Sequence, residues 1–439
     1  MLLSLYIGSA LISQGLAGVH EDHWRAPPPM PARVHRTAPP DTAGPPDVIV
    51  FGYYASWAGE LEDLAWERLT HVAVFNVDLN SDGTLSSESL WNRLAPTAVA
   101  LAAPHGVRVH LSLTCFSDSV MNAVIASPSK RAVTVDALGR LVDAHGADGV
   151  SVDCEGMDPH LRDDFTAFVG EVQDRVDEVS VALPAVDWES SYDYAALSRV
   201  ADQLFIMGYG YHWSGGNPGP VAPLFGEAPW SRWSLSWTVD DYLSKGADPA
   251  RVVLGLPLYG RTWPTTNNDV PGVATGTGSS LLMTQGITLA ATHGRHWDAG
   301  TRTPYTFASS TSQTWYDDTD SVREKVAWAV DAGLGGVGFW ALNYEGNDPA
   351  FWAMMAEETV FPEVVDTGEP EDDDTGDGTP DAVTPAPEGE HEDDTPEDPE
   401  AVVEPEGTRT PFKDGCAAGA APMGLWIGGL VVLWRRRDP

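Results

Sequence analysis

The chain has 439 residues and a formal net charge of −39, with 64 Asp and Glu residues against 25 Lys and Arg. This length accommodates one large α/β barrel with accessory segments. The acidity argues against nucleic acid or an anionic membrane surface as a partner. No Cys/His group has zinc-ligand spacing and no Gly-rich phosphate loop is present, so we expect neither metal nor cofactor. Three cysteines are too few for a disulfide framework.

Two segments precede the predicted folded domain. Residues 1–17 are apolar, contain no acid and end in Gly15-Leu16-Ala17, which predicts a secretory signal peptide. A buried N-terminal helix is the alternative, and the proline-rich stretch that follows disfavours it. Residues 18–46 have no apolar periodicity and are expected to form an extended linker.

The folded domain is predicted from residue 47 to residue 362. Eight β-rich segments alternate with helical segments, which indicates right-handed parallel crossovers. The eight predicted strands cover residues 48–57, 71–78, 107–113, 147–157, 179–185, 203–209, 252–259 and 336–342. Eight such units predict a closed (β/α)8 TIM barrel. An open doubly wound sheet is the structural alternative, but no dinucleotide fingerprint follows the first strand.

The fourth predicted strand carries a pair of acids. Because side chains alternate along a strand, Val150 and Val152 face one way, while Ser151, Asp153 and Glu155 face the other. The two acids then lie ~7 Å apart at the C-terminal end of a parallel strand, where barrel enzymes place their chemistry. Cys115 and Cys154 could meet in the barrel interior, but we expect two buried free thiols.

The spacing between strands seven and eight is too long for one helix. Residues 264–314 are rich in Gly, Thr and Ser, and we expect a small inserted subdomain above the barrel.

The segment Asp148-Gly149-Val150-Ser151-Val152-Asp153-Cys154-Glu155 resembles the Asp-Gly-x-Asp-x-Asp-x-Glu signature of glycoside hydrolase family 18. Residues 255–263, 315–318 and 333–340 resemble further family segments, and residues 207–210 resemble the family's Met-x-Tyr-Asp. The resemblance spans about residues 48–361. Three departures stand out: Ser151 and Gly210 replace aspartates, and Thr114-Cys115 replaces a glycine pair.

The resemblance implies a retaining hydrolysis in which the 2-acetamido group of the sugar is the nucleophile. Glu155 would protonate the glycosidic oxygen, Asp153 would stabilise the oxazolinium ion and Tyr209 would hold the acetamido oxygen. Trp340 would form the floor under the −1 sugar. Tyr53, Met207 and Ser151 are further candidates for substrate binding, whereas Asp148 is expected to be structural. A core role for the aromatic side chains is the alternative.

The remaining segments differ in composition. Residues 363–413 are mostly Asp, Glu, Pro and Thr and predict a disordered acidic stalk. Residues 414–439 contain Cys416, an apolar run at 417–434 and three arginines, which predict a transmembrane anchor with a cytoplasmic Arg cluster. The arrangement resembles the Cys-helix-Arg sorting signals of myxobacterial surface proteins, which implies processing near Cys416.

We therefore predict a secreted bacterial glycosidase, monomeric and anchored at the cell surface. Its substrate is expected to be a β-1,4-linked N-acetylglucosamine polysaccharide, with chitin or chito-oligosaccharides first. Two alternatives stay open. One is a peptidoglycan N-acetylglucosaminidase, and the other is a non-catalytic glycan-binding lectin on the same barrel. Retention of Asp153, Glu155 and Tyr209 disfavours the lectin, whereas Ser151 and Gly210 favour it.

Overall fold

The computed structural model describes His20, His23 and residues 25–30 and 44–361. The barrel strands are β1 (Ile49–Ala55), β2 (His71–Leu79), β4 (Arg108–Cys115), β5 (Gly149–Cys154), β6 (Glu178–Pro184), β7 (Gln203–Met207), β8 (Val252–Pro257) and β14 (Gly336–Trp340). These eight parallel strands form a barrel in the order β1-β14-β8-β7-β6-β5-β4-β2, and pairing of β1 with β2 closes it. The predicted (β/α)8 barrel is therefore confirmed.

Helices cover the outside of the barrel between these strands. The described α-helices are α1 (Glu88–Ala102), α2 (Asp118–Val124), α3 (Pro128–His145), α4 (Arg162–Gln173), α5 (Tyr194–Val200), α6 (Leu235–Ser244), α7 (Met283–His293), α8 (Thr319–Asp331) and α9 (Pro349–Thr359). Short 3-10 turns occur at Leu61–Asp63, Trp66–Arg68, Ala103–His105, Pro159–Leu161 and Pro249–Arg251. Across the described ranges, no helix combines the length and the apolar composition that a bilayer crossing requires.

A second sheet forms the insertion between the seventh and eighth barrel strands. Its five antiparallel strands run in the order β10-β9-β13-β12-β11 and are accompanied by α7. They are β9 (Tyr259–Pro264), β10 (Ser279–Leu282), β11 (His296–Asp298), β12 (Thr303–Ser309) and β13 (Ser312–Trp315). A two-residue strand, β3 (Leu85–Ser86), extends the barrel sheet beyond β2. Because β9 starts two residues after β8 ends, the insertion rises from the end of a barrel strand.

Alternation along β5 places the acid pair as its sequence predicts. Val150 and Val152 are fully buried, and Ser151 and Asp153 are fully buried with the opposite orientation. Glu155 follows the strand and is also buried. The side chain of Asp148 accepts a hydrogen bond from the Val109 amide at 2.7 Å, the structural role expected for it.

The expectation of two free thiols is wrong. Cys115 and Cys154 are partners in the register between β4 and β5, with their Cα atoms 4.5 Å apart, and the two sulfur atoms form a disulfide. Side chains opposite each other on neighbouring strands point the same way, which brings the sulfurs together. Thr114 is the other residue that stands in place of the family's glycine pair, and its hydroxyl oxygen accepts a hydrogen bond from Asn76 Nδ2 at 2.6 Å.

The opposite end of the barrel is held by a hydrogen-bonded carboxylate. Glu178, at the start of β6, accepts from His71 at 3.1 Å, from His110 at 3.2 Å and from Gln203 at 2.5 Å, and it pairs with Arg108. Burial opposes ionisation of this carboxyl, but the hydrogen bonds from His110 and His71 outweigh it and hold its pKa well below the usual range. This cluster, which we call the floor network, ties β2, β4, β6 and β7 together.

Candidate active site

The predicted catalytic residues meet at the C-terminal ends of the barrel strands. Asp153 and Cys154 are the last two residues of β5, and Glu155 comes directly after them. Tyr209 lies two residues after the end of β7. All three are at least 95% buried. Trp340 is the last residue of β14 and is fully buried, with its ring 5.1 Å from that of Phe75 and 5.6 Å from that of Tyr53.

Ser151 has a tyrosine as its partner. Its hydroxyl lies 2.8 Å from the Tyr53 hydroxyl, and both side chains are fully buried. Burial and the charge of Asp153 raise the pKa of Tyr53 well above its usual value, so the phenol stays neutral. Where the family has an aspartate, this chain therefore has a neutral hydroxyl pair, Ser151 and Tyr53, next to Asp153.

Tyr209 is arranged to donate a hydrogen bond. Burial, followed by the nearby Tyr53, Tyr259 and Asp153, raises its pKa well above the ordinary value, so the hydroxyl keeps its proton. Met207, the last residue of β7, is also buried near the site. The next position, Gly210, has φ of 79°, a left-handed conformation that glycine adopts without steric cost. Glycine at this position therefore carries no backbone strain.

His20 occupies the space above Trp340. Its ring stacks on the indole with a centroid separation of 3.8 Å and an interplanar angle of 23°. Nδ1 lies 2.7 Å from Asp153 Oδ2 and donates to it, and Nε2 lies 2.5 Å from the Tyr209 hydroxyl, from which it accepts in the tautomer that carries its proton on Nδ1. Glu155 Oε1 lies 3.8 Å from Nδ1. This residue belongs to the stretch that we expected to be a linker, and its contacts are a departure from that expectation.

His23 makes a second contact with the same tryptophan. Trp340 Nε1 donates to His23 Nδ1 at 2.9 Å, and the His23 ring packs 4.7 Å from that of Tyr259. Burial, with Arg261 and His20 nearby, holds the pKa of His23 well below its usual range. The neutral ring can therefore accept from the indole.

Sequence reasoning missed His20, His23 and Tyr259 as site residues. Two histidines three positions apart, within an otherwise proline-rich stretch, were the available signal for the first two. The signal for Tyr259 was its place at the end of the segment that resembles the family's seventh strand.

Two groups of side chains among the described residues are close enough to share a metal ion. The first consists of His71, His110 and Glu178 in the floor network. Since Glu178 already accepts from three side chains and pairs with Arg108, its acceptor capacity is used and a cation there would face a guanidinium. The second group, His20, Asp153 and Glu155, is joined by the hydrogen bond from His20 to Asp153.

The arrangement suits acid-base chemistry on a ring-shaped substrate. A flat aromatic floor, two carboxyl groups and a phenol donor converge on one small volume. The Asp153 Oδ1 atom accepts no hydrogen bond from the described residues, so it is available to a donor on a substrate. A closed barrel with these groups at its C-terminal rim defines a glycosidase type of site.

Comparison with known proteins agrees with this class. Residues 49–345 match the model of glycosyl hydrolases family 18, and the chain belongs to that family. It is thus a glycosidase by family.

The curated relatives are distant. A putative sporulation-specific glycosylase, YdhD, of Bacillus subtilis is 25% identical over 307 residues, which cover 64% of this chain and 68% of the relative. The cortical fragment-lytic enzyme of Bacillus anthracis is 21% identical over 310 residues, covering 66% of this chain and 68% of the relative. The probable chitinase 10 of Drosophila melanogaster is 25% identical over 348 residues, or 67% of this chain but only 15% of that much longer protein.

Solved structures share the fold. An immunomodulatory active chitinase from Trichuris suis has a TM-score of 0.66 at 19% identity, with 71% of this chain and 100% of that chain covered. The Ostrinia furnacalis Group IV chitinase, crystallised with allosamidin, has a TM-score of 0.65 at 19% identity, with 72% and 100% covered.

Proposed function

We propose that this protein hydrolyses β-1,4 linkages of N-acetylglucosamine, in chitin or chito-oligosaccharides, with retention of configuration. One observation carries the proposal: Glu155, Asp153 and the Tyr209 hydroxyl converge over the face of Trp340. An aromatic face binds the apolar face of a pyranose, and the polar groups above it are spaced to contact one ring.

In the first step, Glu155 gives its proton to the glycosidic oxygen as the C1–O bond breaks. The carbonyl oxygen of the 2-acetamido group forms the new bond to C1, which yields an oxazolinium ion. Asp153 accepts the amide N–H through Oδ1 and balances the positive charge. Tyr209 donates to the acetamido oxygen and holds it below C1.

In the second step, water attacks C1 from the face that the leaving group has vacated. The Glu155 carboxylate accepts a proton from this water, the C1–oxazoline bond breaks, and the acetamido group is restored. Two inversions at C1 leave the configuration unchanged. Because Ser151 bonds the Tyr53 hydroxyl and carries no carboxyl group, the acetamido N–H meets a single aspartate, Asp153, on this face of the strand.

Peptidoglycan is the second candidate substrate. It is favoured by the bacterial relatives, which include a sporulation-specific glycosylase and a cortical fragment-lytic enzyme. Peptidoglycan also carries the 2-acetamido group that the proposed mechanism needs.

The test is to incubate the purified protein with chitin oligomers and, separately, with peptidoglycan, and to identify the products by mass. Release of N-acetylglucosamine oligomers from chitin supports the first substrate, and release only from peptidoglycan supports the second. Binding of chitin oligomers without any product would overturn the hydrolytic proposal in favour of a lectin; a chitinase-like agglutinin from Robinia pseudoacacia has the same fold.

We also propose that the protein is secreted and displayed at the bacterial surface as a monomer, anchored through residues 417–434. This rests on sequence alone, because residues 1–17 and 363–439 lie outside the described residues. Detection of the protein in the soluble cytoplasmic fraction of cells that express it would contradict the proposal.

A further inference from the structure

The stretch around His20 reproduces the contacts that a sugar ring would make in the −1 site. Its ring lies flat on Trp340 at 3.8 Å, as a pyranose would. Its Nδ1 donates to Asp153, in the manner proposed for the acetamido N–H, and its Nε2 accepts the Tyr209 hydroxyl, in the manner proposed for the acetamido oxygen. One imidazole ring therefore contacts Trp340, Asp153 and Tyr209 at the same time.

The residues that follow hold this ring in place through separate contacts. His23 accepts from Trp340 Nε1 and packs against Tyr259. Further along, the Pro29 carbonyl accepts from Gln285 Nε2 of α7 at 2.9 Å, and Met30 packs against the core. The stretch thus contacts both the barrel rim and the insertion.

A sugar cannot enter while these contacts persist. His20 and His23 are almost completely buried, and Glu155 lies 3.8 Å from the His20 ring, so the ring fills the position of the substrate. The barrel itself starts only at Ile49, so displacement of the stretch would break no pairing within the barrel sheet.

We propose that His20, together with His23 and residues 25–30, acts as an intramolecular inhibitor that occupies the sugar site and keeps the full chain in a low-activity state until these residues are displaced or removed. The proposal rests on the proposed function, because it assigns the site to an N-acetylglucosamine ring. The competing explanation is that His20 is a working member of the active site, which would require it to remain beside Asp153 during hydrolysis.

The two explanations predict opposite effects of His20→Ala. An inhibitory segment multiplies the apparent affinity for substrate by the fraction of open molecules, because the apparent Kd is the intrinsic Kd divided by that fraction. If about 1–10% of molecules are open, His20→Ala raises chitotriose affinity and kcat/KM about 10- to 100-fold. A working histidine predicts a loss of kcat instead.

The experiment uses the full chain as wild type and as His20→Ala, His23→Ala and His105→Ala. His105 is exposed at the end of the 3-10 turn Ala103–His105, at the other end of the barrel, and serves as the matched control. Chitotriose binding is measured by calorimetry and hydrolysis by product mass. Occupancy of the site by His20 is measured without any sugar, from the rate at which diethyl pyrocarbonate modifies the His20 ring. The modification is quantified by peptide mass spectrometry.

We expect His20 to react far more slowly than His105 in the wild-type chain, and to become reactive when chitotriose is added. We expect His20→Ala and His23→Ala both to bind chitotriose more tightly, and His105→Ala to match wild type. Reaction of His20 at the rate of His105 would overturn the proposal, and so would unchanged affinity or a loss of kcat in His20→Ala. If no variant binds chitotriose while His20 stays protected, the proposed function is overturned and the docked segment is supported.

Discussion

Replacement of Glu155 by glutamine tests the central step of the proposed mechanism. The substitution keeps the shape and polarity of the side chain but removes the proton that the glycosidic oxygen needs. The variant is best made in the His20→Ala chain, so that the His20 ring does not compete with substrate. General acid catalysis contributes about 10²- to 10⁴-fold to rate, or about 2.7–5.4 kcal/mol.

The burial of Glu155 decides where in that range the loss falls. Its side chain is only 3% exposed with the His20 ring in the site, and a bound sugar in place of that ring would likewise keep bulk water from acting as a substitute acid. We therefore expect kcat on chitotriose to fall by about 10³- to 10⁴-fold with little change in binding. A substrate with a dinitrophenyl leaving group needs almost no protonation, so its first turnover is expected to slow by less than about 10-fold.

Rapid-mixing measurement of dinitrophenolate release separates the two steps. We expect a fast burst followed by slow turnover in Glu155→Gln, because the second step loses its base. Glu178→Gln, a buried acid at the opposite end of the barrel, is the control and is expected to show no burst. Equal losses on both substrates would refute the assignment of Glu155 as the proton donor.

Three further predictions concern other parts of the molecule. Tyr209→Phe removes a hydrogen bond to a group that becomes charged, and kcat on chitotriose should fall about 10- to 150-fold; a change under 3-fold would show that the phenol does not hold the acetamido oxygen. The disulfide between Cys115 and Cys154 closes a loop with a sequence separation of 39, so Cys154→Ser should lower the free energy of unfolding by about 4 kcal/mol, and unfolding that dithiothreitol leaves unchanged would argue against the bond. Folding lowers the pKa of Glu178, so its ionisation stabilises the barrel above about pH 4.5, and this stabilisation is lost as the pH falls. Burial also lowers the pKa of His110, so the free energy of unfolding decreases further below about pH 6.5, where the unfolded chain binds a proton that the folded chain does not. Glu178→Gln should therefore cost about 3 kcal/mol at pH 7 and flatten the fall in melting temperature below pH 4.5, and an unchanged acid slope would contradict this.

Local patterns were sufficient to predict the barrel. Period-two alternation and β-branched residues locate a strand within a few positions, as the observed bounds of β5 and β8 illustrate. The acid pair was predictable for the same reason, since both acids lie on one strand and its direct continuation. Its partners on other strands, Tyr209 and Trp340, needed the family resemblance, because nothing local connects residues so far apart in the chain.

Long-range pairing explains what the sequence did not reveal. Whether Cys115 and Cys154 bond depends on the register of β4 against β5, which no local signal specifies. The position of His20 depends on contacts with Asp153 and Tyr209, more than a hundred residues away. The composition of residues 18–46 indicated only that this segment does not form a hydrophobic core by itself.

The floor network has a consequence for how this barrel can change over time. Glu178 and its partners hold four strands together at the end farthest from Trp340. The contacts that stabilise the barrel and the residues proposed for catalysis thus lie at opposite ends of it. A substitution beside Trp340 leaves the contacts of Glu178 untouched, so the glycan preference of the site can change while the four strands stay tied together.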